Sequence, residues 1–315
     1  MARAADRAPI AMQACEATSA TGARARLDRA LLAARACSLA FVPPTSIPNE
    51  PYSSDLRLVA QVEDPASQAG ASMFEADDGE VVIACRGSSS VRSFRTNLDV
   101  GPVPLVSPDG EHPDARVHAG FQRAASALWA QLEPAVPAGT RKVLVTGHSL
   151  GGGTATLIAL RLLDAGRPAE LLTVAGPRLG NGAFAEYFRR KCEANSAAGA
   201  MHLVRDDKTI RTSCSEHRNA VTADAGAAWQ VHDEDGVLSS NTELWDRLRF
   251  VHVGEVVRCS KDEPLIYDDP SPPQPKASAS GPPSLRGVFV DHCRYLGVYI
   301  GVRLEHPGVW LRRPW

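Results

Sequence analysis

The chain has 315 residues, enough for one large domain with decorations or two small ones, and its 44% hydrophobic content suits a globular protein with a real core. A formal net charge of −2, with lysines and arginines scattered rather than run together, excludes the electrostatic footprint of a nucleic-acid binder. Nowhere do about 18 apolar residues run together without charge, so no transmembrane helix is predicted and any membrane contact must be peripheral.

Seven cysteines form no CxxC pair and no metal-ligand spacing. Their odd number points to reduced, intracellular thiols, and Cys85 and Cys293 read as small buried hydrophobes. Residues 1–25 read as a disordered or targeting tail. They lack an apolar core long enough for a secretory signal peptide, while their arginine, alanine and hydroxyl content would suit an organellar transit segment. A cytoplasmic location is the expectation, with a plastid or mitochondrial one as the alternative.

From residue 26 to 315 the chain reads as a single domain. Arg26 to Phe41 has helical spacing through Leu27, Leu31, Ala34 and Leu39, and Pro43-Pro44 stops it. Leu56 to Val62, Ala71 to Phe74 and Glu80 to Cys85 read as strands, the last introduced by the turn Asp77-Asp78-Gly79. Arg86-Gly87-Ser88-Ser89-Ser90 follows. Beyond it, Val91, Phe94 and Leu98 share one face of a short amphipathic helix, with Arg92 and Arg95 turned away. Gly101 to Asp114 reads as a Pro-bearing connection to Val117-His118-Ala119-Gly120-Phe121. The next helix places Phe121, Ala125, Leu128 and Leu132 on one face, and His118 reads as structural.

The strongest signal is Lys142 to Arg161. Val143 to Val145 reads as a short buried strand, Ala155 to Leu163 as a helix, and between them stands Gly147-His148-Ser149-Leu150-Gly151. That spacing is a nucleophile elbow, in which a serine on a strained strand-to-helix turn points its hydroxyl out of the sheet. Gly147 and Gly151 must be small because the chain passes close to itself there, and Gly152 and Gly153 are expected to hold the helix start against the strand. The helix N-terminus adds orphan N–H groups beside the serine. Gly166-Arg167-Pro168 ends this helix. Leu171 to Val174 is the next strand, and it runs into the loop Ala175-Gly176-Pro177-Arg178-Leu179-Gly180-Asn181, with Gly176 and Pro177 setting the turn.

An elbow serine needs a histidine to take its proton and a carboxylate to orient that histidine. In this arrangement the acid follows the serine and the histidine comes last. The strand Met201 to Val204 delivers Asp206 and Asp207 at its end. Of nine histidines, His112, His118 and His148 precede the serine, and His148 cannot turn its ring onto its neighbour's hydroxyl. His202 lies in a strand, and His217 and His232 stand in a polar segment without a positioned partner. That leaves His252, His292 and His306. Residues 211–249 read as a polar insertion, and residues 268–285 as a Pro/Ser-rich connector favouring extended chain.

The RGSSS, HAGF, GHSLG, AGPRLGN, HVG and DHCRY stretches together resemble the class 3 (fungal-type) triacylglycerol lipases, from about Ala36 to Gly301. The resemblance implies an α/β-hydrolase fold, with a mixed, mostly parallel central sheet flanked by helices. It makes Val91, Phe94 and Leu98 a short lid helix, with Phe94 where the family carries tryptophan. His252 then matches a structural strand, and His292, in a His-x-x-Tyr stretch, becomes the base for the nucleophile Ser149. Asp207 becomes the acid, with Asp206 the alternative, because Lys208-Thr209-Ile210 replaces the family's valine and proline.

Ser88 and the Leu150 N–H would form the oxyanion hole, where losing one donor typically costs about 3 to 4 kcal/mol of barrier. No metal or organic cofactor is required. The implied partner is a lipid or ester substrate at a site with no role for nucleic acid. Acylglycerols are the first expectation, while phospholipids, galactolipids and small esters would use the same residues. A lipase-like protein that binds partners without catalysis is the reading of a different class.

Overall fold

A computed structural model describes residues 20–87, 101–139, 143–195, 199–205, 250–251, 253, 255–259, 266–267, 293–296 and 298–301. In chain order the helices are α1 (Ala20–Leu39), α2 (Ala119–Leu132), α3 (Leu150–Asp164) and α4 (Gly182–Ala194). The strands up to the elbow are β1 (Leu56–Asp64), β2 (Ala69–Ala76), β3 (Val81–Arg86), β4 (Pro102–Ser107), β5 (Gly110–His118) and β6 (Val143–His148). After it come β7 (Ala169–Val174), β8 (Gly180–Asn181), β9 (Gly199–Arg205), β10 (Phe250–Val251), β11 (Glu255–Cys259), β12 (Ile266–Tyr267), β13 (Arg294–Tyr295) and β14 (Val298–Tyr299). The polar insertion, the Pro/Ser-rich connector and the lid residues Val91, Phe94 and Leu98 lie outside the described residues.

The main sheet has the order β1-β2-β3-β6-β7-β9-β11-β12. From β3 to β11 neighbouring strands run parallel, and the two ends are antiparallel. This is the mixed, mostly parallel sheet of an α/β-hydrolase. Its central strands are continuous apolar runs because both faces are covered: every residue of β3 and β6 is buried. Successive side chains alternate between the faces. Thr146 points toward α1, where the Cys37 thiol lies 3.3 Å from its hydroxyl, whereas Gly147 faces the start of α3. On the α3 side, α2 buries Phe121, Ala125, Leu128 and Leu132, the stripe that helical spacing predicts.

Two elements depart from expectation. The Gly101 to Asp114 stretch is not a plain connection: it forms β4 and most of β5, a hairpin in a second sheet of order β10-β8-β5-β4. Pro102 and Pro104 are tolerated because β4 is an edge strand, where missing N–H donors cost no ladder bonds, and Pro113 of β5 falls in the register shift between Arg116 and His112. Gln122 of α2 covers that edge, accepting from the Val106 N–H at 2.8 Å and donating to the Pro104 carbonyl at 3.1 Å. Helix α4, to which the sequence reading assigned no element, buries Phe184, Tyr187 and Phe188 on one face and is started by Asn181, whose side chain accepts from the Phe184 N–H at 3.0 Å. It is held at its far end by Lys191, 2.8 Å from the fully buried Asp164 and 2.5 Å from Asp109. That ammonium compensates a carboxylate which would otherwise be costly to bury.

Helix α1 begins at Ala20, ahead of the predicted Arg26. Arg29 on it bridges Glu80 at 2.5 Å and Glu170 at 2.7 Å, tying the helix to the amino-terminal ends of β3 and β7. Helix α3 ends as the Gly-Arg-Pro signal predicts. The Arg167 N–H donates to the Leu162 carbonyl at 2.8 Å and the Gly166 N–H to that of Leu163 at 3.0 Å, with Gly166 at φ 67°. Gly166→Ala places a β-carbon in this left-handed conformation at a cost of about 1 to 2 kcal/mol, partly offset by the stiffer unfolded chain. A loss of about 1 kcal/mol in urea unfolding, with unchanged activity, is the expected outcome.

Candidate active site

The elbow is built as the sequence predicts. β6 ends at His148, α3 begins at Leu150, and Ser149 between them has φ 55° and ψ −130°. That conformation is strained for a residue with a β-carbon, and it is held by its surroundings. The Ser149 N–H donates to the Val174 carbonyl at 3.0 Å, and the Gly152 N–H to the Ser149 carbonyl at 2.8 Å. A β-carbon on Gly147 would stand 2.2 Å from the Gly151 carbonyl oxygen, and one on Gly151 would stand 2.2 Å from that of Cys85. No shift of a side chain relieves either contact.

Gly152 holds the helix start against the sheet as predicted, since a β-carbon there would lie 3.3 Å from Thr173 Cβ of β7 and 3.4 Å from the Gly147 carbonyl oxygen of β6, whereas Gly153 has a different reason. Gly152 packs against the Gly176 backbone, where a β-carbon would lie 2.7 Å from Cα, and Gly153 packs against the Phe121 ring of α2 at 2.9 Å. In the loop after β7, the left-handed residue is Ala175 at φ 52°, so Gly176 is small for contact and does not supply the turn. A β-carbon there would lie 2.9 Å from the Thr173 hydroxyl.

Leu150, 6% exposed, occupies the first position of α3. Its N–H has no acceptor within the helix, so it is available to an anion beside Ser149. Facing it is Gly87, whose importance the sequence reading did not separate from the motif around it. A β-carbon on Gly87 would lie 2.7 Å from the His148 carbonyl oxygen and 3.3 Å from Ser149 Cβ. The end of β3 therefore runs against Ser149, and Ser88 follows directly in the chain. Arg86, also unassigned from the sequence, is buried and reaches back to Glu63 of β1 at 2.7 Å, lying over Gly70. A cavity of about 180 Å³ opens here, lined by Arg86, Gly87, His118, Phe121, Leu150 and Thr154 among others.

His118 is structural. Its Nδ1 accepts from the Gly120 N–H at 3.1 Å and its ring lies 4.8 Å from that of Phe121. Tyr295 is completely buried, consistent with packing rather than reaction. Burial pushes the Cys37 thiol up to about 12, against the opposing pull of the Thr146 hydroxyl, and Cys85 is raised by burial and by Cys37. Neither is a nucleophile at neutral pH. Ser88, Asp206, Asp207 and His292 lie outside the described residues. The described residues contain no cluster of His, Cys, Asp and Glu able to hold a metal and no helix long and apolar enough to cross a membrane.

A strained serine between a parallel strand and a helix, with an N–H at the helix start and glycines at the crossing points, has the geometry of a nucleophile elbow. Residues 82–207, from β3 through the acidic pair Asp206-Asp207, match the family described as Lipase (class 3).

Among curated proteins, a secreted mono- and diacylglycerol lipase of Fusarium solani is 38% identical over 122 residues, covering 36% of this chain and 35% of that protein. A lipase of Rhizomucor miehei is 37% identical over 117 residues, covering 34% and 31%. The matched stretch thus spans about a third of these relatives. Lipase II from Rhizopus niveus shares the fold, with a TM-score of 0.58 and 19% identity over 88% of this chain and 97% of that one. So does a triacylglycerol lipase described as having a serine protease triad, with a TM-score of 0.57 and 21% identity over 90% and 98%.

The cytoplasmic expectation is corrected by the Fusarium relative, which is a secreted protein by name. An odd cysteine count and a weakly apolar N-terminal stretch are poor reporters of compartment, since neither measures export.

The glycine contacts separate by what they meet. Gly147→Ala drives a β-carbon into backbone and is expected to cost at least about 3 kcal/mol. Gly153→Ala meets only a ring that can tilt, and alanine gains about 0.5 to 1 kcal/mol in a helix, so its net cost should stay within about 1 kcal/mol. Thermal unfolding of both variants measures the difference.

Proposed function

We propose that the protein is a serine hydrolase that cleaves carboxylic ester bonds of acylglycerol-type lipids through an acyl-enzyme. The observation that carries this reading is the strained Ser149 between β6 and α3, at φ 55°, with the Leu150 N–H directly after it. In the proposed reaction the Ser149 hydroxyl attacks the ester carbonyl while His292 takes its proton. Asp207, or Asp206 in its place, holds the imidazole in the required tautomer and stabilises its charge. The tetrahedral oxyanion is received by the Leu150 N–H and by Ser88, donors aimed where charge appears only in the transition state. His292 then returns the proton to the leaving alcohol, and water repeats the sequence to release the acid.

The end of β3 beside Ser149 supports Ser88 in this role, because Gly87 is already in contact distance of the nucleophile. The lid role of Val91, Phe94 and Leu98 is part of the same proposal. So is peripheral contact with a lipid surface, which the exposed apolar face of a lid would make. The name of the Fusarium relative, a mono- and diacylglycerol lipase, favours acylglycerols as the substrate class.

Labelling with a fluorophosphonate probe tests the reading. Wild-type protein should take up one label and Ser149→Ala none, with ester hydrolysis falling by roughly 10⁵-fold or more in the variant. Folded wild-type protein that stays unlabelled would sink it. Comparing monoacylglycerol, triacylglycerol, phospholipid and short-chain nitrophenyl ester substrates then assigns the class, and acylglycerols should give the highest kcat/KM.

A further inference from the structure

The chain that leads out of the proposed base is fastened to the elbow from the face opposite α3. His148 shares the α1 face of β6 with Thr146, and its ring is 3% exposed. It lies edge-on to Phe41 at 6.4 Å and to Tyr295 at 5.9 Å, both with interplanar angles of 66°. Tyr295 opens the short hairpin β13–β14, in which it pairs with Val298. The hairpin is pinned at several points. The Ser38 hydroxyl of α1 donates to the Tyr299 carbonyl at 2.7 Å, and the Ile300 N–H donates to the Cys293 carbonyl at 2.7 Å. Tyr295, Leu296, Val298 and Ile300 are all buried. Leu296 is held at φ 53°, a conformation a leucine keeps only where its neighbours over-determine it.

Two chain positions are thereby tied together. His148 directly precedes the nucleophile Ser149, and Cys293, whose carbonyl closes the hairpin, directly follows His292. We propose that Tyr295, docked edge-on against His148, is a positioning residue for His292: this contact fixes where the base-bearing chain starts relative to the Ser149 hydroxyl. The inference rests on the hydrolase reading above, with His292 as the base.

Proton transfer needs the two groups within about 2.6 to 3.2 Å, and His292 belongs to a chain segment far from Ser149 in sequence. An edge-to-face pair of aromatic rings suits the task. It has a preferred offset and angle, and few rotatable bonds through which to drift. If Tyr295 were core filling only, its truncation would lower stability without a specific effect on turnover. As a positioning residue it governs kcat, because displacing a reacting group by about 1 Å can cost on the order of 100-fold in rate.

The experiment compares the full chain with Tyr295→Phe, Tyr295→Leu, His148→Leu and the double leucine variant. Each is assayed for thermal unfolding, for kcat and KM on a water-soluble short-chain nitrophenyl ester, and for fluorophosphonate labelling. Tyr295→Leu should lower kcat by roughly 30- to 100-fold with KM within about twofold. Tyr295→Phe, which keeps the ring, should lose clearly less than Tyr295→Leu, and the double leucine variant should fall little below the worse single one, since both act through one contact.

Should Tyr295→Leu not fold, Ser38→Ala removes the hairpin's hydrogen bond to α1 and should lower kcat about fivefold at unchanged KM, a smaller displacement on the same scale. The proposal is overturned by folded Tyr295→Leu or Ser38→Ala protein with wild-type kcat, or by equal losses in the phenylalanine and leucine variants. Wild-type protein that takes no label and turns over no ester instead overturns the hydrolase reading itself, and this inference with it.

Discussion

The backbone crossing at Gly147 and Gly151 is the constraint on which the site depends. Gly147 leaves no room for a β-carbon beneath the Gly151 carbonyl, and Gly151 leaves none above the Cys85 carbonyl. Three segments, the ends of β3 and β6 and the start of α3, are thereby brought to backbone contact. This closeness forces Ser149 out of ordinary backbone space, and its N–H hydrogen bond to the Val174 carbonyl keeps it there. It also brings Gly87 against Ser149, so the end of β3 is positioned by the same crossing that strains Ser149.

Strain at the carboxyl ends of the parallel strands is matched by heavy anchoring elsewhere. Ser149 and Ala175 both carry positive φ on adjoining strand ends. The opposite ends of the sheet are closed by Arg29 with Glu80 and Glu170. Apolar burial on both sheet faces supplies the main stabilisation. Ionic groups appear where an element end would otherwise be loose, as with Lys191 between Asp109 and Asp164.

The fold and the elbow turn were legible in the sequence because their signals are local. A β-branched run, a GxSxG turn and an apolar helix define the elbow within about twenty residues, and the α2 stripe follows from helical period alone. The β4–β5 hairpin was read as a connection because prolines usually break strands; the exception depends on which strand lies at an edge, a tertiary fact. The roles of Gly153 and Gly176 were misassigned for the same reason. The sequence marks them as small, but only packing shows that Phe121 and Thr173 are what they make room for.

By itself the sequence determined the strand-turn-helix at Ser149 and the apolar runs of the parallel strands, because each follows from spacing and backbone chemistry over a few residues, while His118 was set aside only by its place before Ser149 in chain order. Tertiary structure decided which distant residues meet: Gly87 with Ser149, Arg86 with Glu63, and His148 between Phe41 and Tyr295. Those pairings are set by how β3, α1 and the β13–β14 hairpin pack on β6. No local pattern encodes such contacts, since the partners stand tens to hundreds of residues apart and are selected by shape and burial once the sheet has formed.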